Sequence, residues 1–148
     1  MEKVIRTLTE LEEEAARFAG TLAPGTGATL VTLKGELGAG KTAFTKAVAR
    51  SLGVEGIVNS PTFVLEKIYL LPELGGRASK FRRLIHIDAY RLEKGADLAP
   101  LGFDELMQDA GNLILLEWPE KVTDALPAPA ARLSFAVEED DSRILSYG

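Results

Sequence analysis

The sequence predicts an α/β domain of three layers, in which a central mixed β-sheet is flanked by helices. Short apolar segments typical of buried strands alternate along the chain with amphipathic segments typical of helices. The last two predicted strands lie close enough in sequence to pair as an antiparallel hairpin, so the sheet is not expected to be wholly parallel. With 148 residues, 46% hydrophobic and 26% charged, the chain has the size and composition of one globular domain spanning residues 1–148.

The first third of the chain predicts a helix, a strand and a second helix. Thr9 and Glu12 form a capping-box pattern at the start of the first helix. Apolar residues at helical spacing continue to about Leu22. Residues 28–34 are β-branched and apolar, as in a buried strand. Residues 42–52 then predict the second helix, with its apolar residues on one face.

The rest of the chain predicts five strands and two short helical segments. The strands are expected at residues 63–70, 83–87, 113–116, 132–137 and 143–147, and the helical segments at 103–108 and 122–126. Residues 71–80 contain one proline and two glycines, which favour a surface loop. The acidic run from Glu138 to Asp141 is expected to form the turn between the last two strands.

The composition argues against several functional classes. The chain has no cysteine, which excludes disulfides, thiolate nucleophiles and cysteine-based zinc sites. The net charge of −5 argues against a dominant basic surface for a nucleic-acid backbone, so any nucleic acid is expected to be reached through a partner. The apolar runs are short and the N-terminal segment turns acidic at Glu10, unlike a membrane span or a signal peptide. We therefore expect a cytoplasmic protein that does not bind membranes.

The most specific motif is the glycine-rich segment Gly35–Thr42 (GELGAGKT). It matches G-x-x-x-x-G-K-[ST] at every position, between a predicted strand and a predicted helix. Such a loop turns backbone N–H groups towards a phosphate, and the N-terminus of the helix favours the anion. Lys41 is expected to reach the outer phosphates, and Thr42 to offer its hydroxyl to Mg²⁺. The motif predicts a P-loop NTPase-like domain whose nucleotide contacts come from Glu36, Leu37, Gly38, Ala39, Gly40, Lys41 and Thr42.

Such a loop needs an acidic residue at the end of a neighbouring strand to hold Mg²⁺. Asp88 and Glu117 each follow a predicted strand directly, at the edge of the sheet where ligands gather. The spacing does not rank these two residues. Thr62 is a third candidate, because a threonine that follows a flexible loop can contact the γ-phosphate and the metal. The alternative for Thr62 is an ordinary residue at the start of a strand.

Three further residues near these motifs have more than one interpretation. Trp118, the only tryptophan, follows Glu117 and either packs near the nucleotide or lies at the margin of the core. His86, the only histidine, alternates with apolar residues in a predicted strand and is interpreted as structural, because a lone histidine makes a poor metal site. Arg91 either contacts a phosphate or pairs with an acid.

Five segments together resemble the TsaE (YjeE) family of small bacterial P-loop ATPases. They occur in order along nearly the whole chain: GELGAGKT (35–42), NSPTF (59–63), HIDAYRL (86–92), DLAPLGFDEL (97–106) and LLEWPEK (115–121). The resemblance implies a cytoplasmic ATPase that uses ATP and Mg²⁺ to make N6-threonylcarbamoyladenosine at position 37 of tRNA. It also implies binding to the TsaD and TsaB pair, whose turnover cycle the ATPase drives, with tRNA reached only through that complex.

The resemblance also assigns roles to individual residues. Lys41 matches the phosphate-binding lysine, and Thr42 and Glu117 match the two metal contacts. Asp88 matches a residue that positions water or metal, and Thr62 matches the threonine of a switch-like loop. The expected catalytic set is therefore Lys41, Asp88, Glu117 and Thr62, whereas Trp118 and Thr9 are expected near the nucleotide, with Thr9 towards the adenine.

Two sequence features bear on the choice of nucleotide and on the rate. A guanine-binding N-K-x-D element is missing from the chain, which favours ATP over GTP. The sequence assigns no arginine finger in cis, so slow turnover of the protein alone and faster turnover with partners are expected.

One alternative function is a small-molecule kinase, whose lid would lie in residues 70–82 and use Arg77, Lys80 and Arg82. Another is a non-catalytic module whose assembly is gated by nucleotide binding. Lys80, Arg82 and Arg83 also form a basic cluster, interpreted as a solvated face.

Overall fold

A mixed β-sheet of seven strands forms the centre of the described structure. The computed structural model describes residues 1–55, 65–72 and 81–148. The strands are β1 (Glu2–Ile5), β2 (Thr29–Gly35), β3 (Glu66–Leu70), β4 (Arg83–Asp88), β5 (Asn112–Glu117), β6 (Ala131–Val137) and β7 (Arg143–Tyr147). Their order in the sheet is β1-β7-β6-β2-β5-β4-β3. Strand β2 runs parallel to β5 and β6, and β4 runs parallel to β5, whereas the other pairs are antiparallel.

Helical segments cover both faces of this sheet. Helices α1 (Leu8–Thr21) and α2 (Lys41–Ser51) share a core with one face. Helix α3 (Phe103–Met107) and short 3₁₀ turns at Gly95–Leu101, Pro119–Lys121 and Thr123–Ala125 lie on the other side. This arrangement confirms the predicted α/β fold with a mixed sheet between helices. None of the helices among the described residues combines the length and apolar character needed to cross a membrane.

Strand β5 shows why the central strands have continuous apolar sequences. All six of its residues are buried. Leu113 and Leu115 belong to the core shared with α1 and α2, whereas Ile114 and Leu116 belong to the core on the opposite face. Alternate side chains of a strand point to opposite faces, so a strand covered on both sides must be apolar at nearly every position. Glu117, which ends this strand, is therefore a buried carboxylate at the edge of two cores.

The start of α1 differs from the prediction. Thr7, and not Thr9, caps the helix, and its side-chain oxygen accepts a hydrogen bond from the N–H of Glu10 at 3.1 Å. The carboxylate of Glu10 in turn accepts from the N–H of Arg6 at 2.6 Å. The sequence contains the Thr-x-x-Glu pattern twice, two residues apart, and the structure uses the first copy. The predicted capping box of Thr9 and Glu12 is therefore wrong, because Thr9 already lies within the helix.

Other elements also differ from the predictions. Strand β1 was not predicted because only Ile5 of its four residues is buried, and its position depends on antiparallel pairing with the distant β7. The predicted helical segment 122–126 is instead occupied in part by the 3₁₀ turn Thr123–Ala125, with another turn at Pro119–Lys121 before it. The described part of β3 begins at Glu66, and Phe63, its predicted start, lies outside the described residues.

A buried carboxylate on α1 joins this helix to the last strand of the sheet. Glu14 accepts hydrogen bonds from Nε and Nη2 of Arg17, at 2.8 and 2.6 Å, and from the hydroxyl of Tyr147. The hydrogen bond from Arg17 is the largest cause that holds the pKa of Glu14 below its ordinary value, although burial opposes it. Because Tyr147 belongs to β7, the cluster fixes α1 against one side of the sheet.

We expect Glu14 to make the stability of the fold depend on pH. Its native pKa lies below the ordinary value of 4.5. Its stabilising contribution is therefore complete above the ordinary pKa and is lost as the pH falls through the lower native pKa. Glu14→Gln should lower the free energy of unfolding by about 1–3 kcal/mol at pH 7 and by less at pH 3. Urea denaturation at both pH values measures the difference, with Glu13→Gln, an exposed change in the same helix, as the control. An equal loss at both pH values would contradict this role.

Candidate nucleotide-binding site

The glycine loop (residues 35–42) connects the carboxyl end of β2 to the first turn of α2. Gly38 and Gly40 have φ values of 79° and 111°, in the left-handed region that residues with a Cβ rarely adopt. Gly40 stands at the N-cap of α2 and offers no side chain to the first turn of that helix. The unpaired N–H groups of the helix start are therefore available to an anion bound in the loop.

Lys41 lies folded into the glycine loop, with only 4% of its surface exposed. Its Nζ donates hydrogen bonds to the carbonyl oxygens of Gly35 and Glu36, the latter at 3.0 Å. The same ammonium lies 4.2 Å from the centre of the Trp118 ring, within the range of a cation–π contact. Burial lowers the pKa of Lys41, and nearby carboxylates, Glu117 foremost, oppose that effect. The ammonium is thus held at the loop in surroundings where water screens its charge weakly.

Thr42 and Glu117 meet at the junction of α2 and β5. The hydroxyl of Thr42 lies 3.3 Å from Oε1 and 3.1 Å from Oε2 of Glu117. A hydroxyl and a carboxylate are oxygen ligands of the kind that Mg²⁺ prefers, with phosphate oxygens and water filling its remaining positions. The donor set present here therefore fits a Mg²⁺ ion bound together with a nucleotide.

Asp88 ends the strand next to Glu117. The two residues are paired in register between β4 and β5, and Oδ1 of Asp88 accepts a hydrogen bond from the N–H of Tyr90 at 3.0 Å. Burial is the largest cause that raises the pKa of Asp88, and the neighbouring Glu117 adds to it, whereas the Tyr90 N–H opposes it. The site therefore holds two carboxylates side by side, of which Asp88 accepts a proton more readily than an ordinary aspartate.

Two aromatic side chains form a wall beside the loop. Trp118 has a φ of 62°, unusual for a residue other than glycine, and its backbone N–H donates to the carbonyl of Leu33 at 3.2 Å. Its ring lies 4.9 Å, centre to centre, from that of Tyr90, and it also packs against the core on the α3 side of the sheet. Trp118 is therefore both a residue of the core margin and a neighbour of Lys41.

These groups surround one cavity. Its volume is about 380 Å³, and it is lined by residues 37–43, by Asp88 and Glu117, and by Tyr90, Arg91 and Trp118. A second cavity, of about 340 Å³, adjoins the other side of the loop and is lined by residues 38–40 and by Thr7 and Leu8, among others. The loop thus separates a polar cavity with two carboxylates from a cavity at the start of α1.

A family model described as threonylcarbamoyl adenosine biosynthesis protein TsaE matches residues 5–145. The chain belongs to the TsaE family. Three relatives carry the name tRNA threonylcarbamoyladenosine biosynthesis protein TsaE. The Streptomyces coelicolor protein is 40% identical over 83% of this chain and 76% of its own length. The Bacillus subtilis protein is 37% identical over 80% of this chain and 68% of its own length. The Rickettsia bellii protein is 33% identical over 94% and 91%.

A solved structure agrees with this family assignment. The crystal structure of Bacillus subtilis YdiB superposes with a TM-score of 0.76 and 28% sequence identity. The match covers 99% of this chain and 83% of that one. This agreement confirms the P-loop NTPase-like fold that the TsaE resemblance implied.

Most residues predicted for the site lie together in the TsaE fold. The polar cavity brings together Leu37, Gly38, Ala39, Gly40, Lys41, Thr42, Asp88, Glu117 and Trp118. Glu36 is not part of the lining of this cavity, but its carbonyl oxygen accepts a hydrogen bond from Nζ of Lys41 at 3.0 Å. Thr9 is exposed on α1 and, unlike its neighbours Thr7 and Leu8, is not part of the lining of the second cavity. Thr62 lies outside the described residues.

Sequence reasoning did not single out Tyr90, interpreted His86 as structural and left the role of Arg91 open. Tyr90 packs against Trp118, and Nε2 of His86 lies 2.5 Å from Oε2 of Glu117. The signal for His86 was its position two residues before Asp88 on a strand, which places both side chains on one face. Arg91, whose role was open, lines the polar cavity.

The basic cluster predicted at residues 80–83 is engaged within the TsaE fold where it is described. Arg82 and Arg83 contact the two carboxylate oxygens of Asp109 at 2.7 and 3.0 Å. Arg83 also donates to the side chain of Asn112 at 2.8 Å. Lys80 lies outside the described residues. Both described arginines therefore have a structural partner.

Proposed function

We propose that the chain is a Mg²⁺-dependent ATPase of the cytoplasmic machinery that makes threonylcarbamoyladenosine in tRNA. The observation that carries this proposal is the meeting of the Thr42 hydroxyl and the Glu117 carboxylate beside Lys41 in the glycine loop. The names of the relatives support the pathway. TsaD and TsaB are the proposed partners, and tRNA is reached through them.

The residues of the polar cavity divide the chemistry of ATP hydrolysis between them. The loop N–H groups and Lys41 bind the phosphates and stabilise the negative charge that develops as the γ-phosphoryl group is transferred. Mg²⁺, when held by Thr42 and Glu117, supplies further positive charge at the phosphate oxygens. Asp88 is suited to orient the attacking water and accept its proton, because burial raises its pKa. The proposed role of Thr62 is to contact the γ-phosphate and the metal.

The second cavity is the proposed place of the adenine. It adjoins the glycine loop through Gly38–Gly40 and Ala43, and Leu8 and Leu11 contribute apolar surface to it. An adenine there would lie against the first turn of α1, in which Thr9 is located. Adenine rather than guanine is favoured because the chain lacks the N-K-x-D element.

Exposed apolar side chains around both cavities suit a protein partner. Leu37 at the glycine loop is 69% exposed, Leu8 at the second cavity 62%, and Tyr90 at the polar cavity 41%. Apolar residues gathered at one place on a surface are typical of an interaction site. A partner docked over them would exclude water from the nucleotide, which strengthens the electrostatic interactions within the cavity.

We expect the TsaD and TsaB pair to raise the rate of ATP hydrolysis at least about tenfold, the effect of about 1.4 kcal/mol on the barrier. Phosphate release is measured with Mg²⁺, with and without the two partners, and Lys41→Ala is the blank. Equal rates in an otherwise active complex would contradict the partner-stimulated ATPase.

Product identity separates this function from the kinase alternative. Free phosphate supports an ATPase, whereas a phosphorylated small molecule supports a kinase. Of the arginines and lysines assigned to a kinase lid, Arg82 is paired with Asp109, and Arg77 and Lys80 lie outside the described residues. No contact among the described residues favours a kinase lid.

A further inference from the structure

We propose that His86 is a positioning residue, which holds the Glu117 carboxylate in the orientation that binds Mg²⁺. This role rests on the proposed function, because it presupposes that Glu117 contacts the metal. The proposal assigns to His86 no contact with nucleotide or metal. It replaces the interpretation of this histidine as a purely structural residue of the strand.

The pairing of two neighbouring strands brings the side chain of His86 beside that of Glu117. His86 pairs in register with Leu115, two residues before Glu117, so both polar side chains lie on the same face of the sheet. Nε2 of His86 lies 2.5 Å from Oε2 of Glu117. His86 is completely buried at 0% exposure, and Glu117 is buried too. The contact is therefore made inside the protein, where water does not compete for the carboxylate.

The Glu117 carboxylate lies within hydrogen-bond distance of two side chains, His86 and Thr42. Its Oε2 is close to both His86 and Thr42, whereas Oε1 has the longer contact of 3.3 Å with the Thr42 hydroxyl. Fixing a glutamate in one rotamer costs conformational entropy, and a buried hydrogen bond offsets that cost. Hydrogen-bonded partners of this kind orient metal-binding side chains in many metalloproteins. His86 thus leaves Oε1 as the oxygen best placed to turn towards a metal.

The surroundings of the ring indicate which nitrogen carries the proton. Nδ1 of His86 has no hydrogen-bond partner among the described residues. A proton on that atom would be a buried donor without an acceptor, which costs about 1–3 kcal/mol. The tautomer with its proton on Nε2 avoids that cost and donates to the Glu117 carboxylate. The role assigned to His86 therefore needs one N–H donor at the position of Nε2.

Substitutions at His86 separate a donor from a space-filling ring. His86→Phe keeps a ring of similar shape but removes the donor. His86→Gln has no ring but ends in an amide N–H at about the reach of Nε2, so it should restore the contact. Leu84→Val is the matched control, because Leu84 is a fully buried residue on the same face of the same strand.

The measurement is the affinity of a non-hydrolysable ATP analogue, by calorimetry, as a function of Mg²⁺ concentration. We expect His86→Phe to raise the Mg²⁺ concentration for half-maximal effect by about 10- to 100-fold. The corresponding Mg²⁺ concentration for His86→Gln should remain within a few-fold of the wild-type value, and that for Leu84→Val should equal the wild-type value. Affinity in EDTA should be the same in all four proteins. For turnover, saturating Mg²⁺ should restore kcat in His86→Phe, whereas a loss of folded protein would lower kcat at every Mg²⁺ concentration.

The possible failures are distinguishable. If the affinity of the wild-type protein for the analogue does not depend on Mg²⁺, both the proposed metal site and the role of His86 are overturned. If the wild-type affinity depends on Mg²⁺ but His86→Phe has the same Mg²⁺ concentration for half-maximal effect (the midpoint), the role of His86 alone is overturned. If His86→Phe does not fold, His86→Asn replaces it, because the asparagine amide ends near the position of Nδ1 and does not reach Glu117. The same shift in midpoint is expected, and its absence overturns the proposal.

Discussion

Replacing Lys41 by alanine should lower kcat/KM for ATP hydrolysis by at least about 100- to 1,000-fold, the range seen when one preorganised donor to a transition state is removed. The ammonium is buried against the glycine loop and bonded to two of its carbonyl oxygens. Its charge is therefore weakly screened and already in place before a nucleotide binds. Alanine removes that charge and the hydrogen bonds from Nζ to the carbonyl oxygens of Gly35 and Glu36. Phosphate release measures the loss in turnover, and calorimetric titration with ATP measures the loss in nucleotide affinity.

Arg50→Ala is the matched control for Lys41→Ala. Arg50 is a cation in the last turn of the same helix, and it is exposed. Its removal should leave turnover and nucleotide affinity within about twofold of wild type, because an exposed charge far from the loop is screened. Circular dichroism and thermal melting establish that both variants fold. A folded Lys41→Ala protein that hydrolyses ATP at the wild-type rate would show that the glycine loop is not the catalytic site.

Replacing Glu117 by glutamine should separate nucleotide binding from turnover. Glutamine keeps the size of the side chain and one oxygen, but it lacks the negative charge that holds Mg²⁺. We expect a loss in kcat of about 100- to 1,000-fold, comparable with that of Lys41→Ala. ATP affinity in EDTA should be retained or improved, because a buried carboxylate near the phosphates has been neutralised. Titrations with and without Mg²⁺ test both expectations.

The same variant decides between an ATPase and a nucleotide-gated assembly module. If hydrolysis drives the modification, Glu117→Gln should bind ATP and the TsaD–TsaB pair but fail to support repeated rounds of tRNA modification. If binding alone suffices, the variant should support modification at the wild-type rate. Asp104→Asn, an exposed change on α3, is the control for loss of a carboxylate outside the site. Modification by Glu117→Gln at the control rate would contradict the role of hydrolysis.

The glycine loop shows how much local sequence determined. Gly40, with its left-handed backbone, and the lysine and threonine that follow it all occupy the places that the motif predicts. These positions were predictable because the conformation of such a loop depends on residues adjacent in sequence. The central strands were predictable for a similar reason, since a run of apolar residues must be buried on both faces.

The capping of α1 and the strand β1 show where local information was insufficient. Two overlapping Thr-x-x-Glu patterns satisfy the same local rule, and the choice of Thr7 is made by the packing of the helix on the sheet. Strand β1 has little apolar pattern of its own and exists by pairing with β7, more than 130 residues away in sequence. Pairings over such distances are determined by the whole fold.

The candidate site combines both kinds of information. By itself the sequence determined the chemistry of the glycine loop, the two carboxylates at strand ends and, through its motifs, the family. The tertiary structure placed Glu117, which the family resemblance had matched to a metal contact, against Thr42. Only the tertiary structure decided that Trp118 lies over Lys41 and that His86 contacts Glu117. The physical reason is that β5 lies between β2 and β4. Its pairing with these two strands brings Glu117 to Thr42, 75 residues away in sequence, and to His86, 31 residues away, and no local pattern specifies either register.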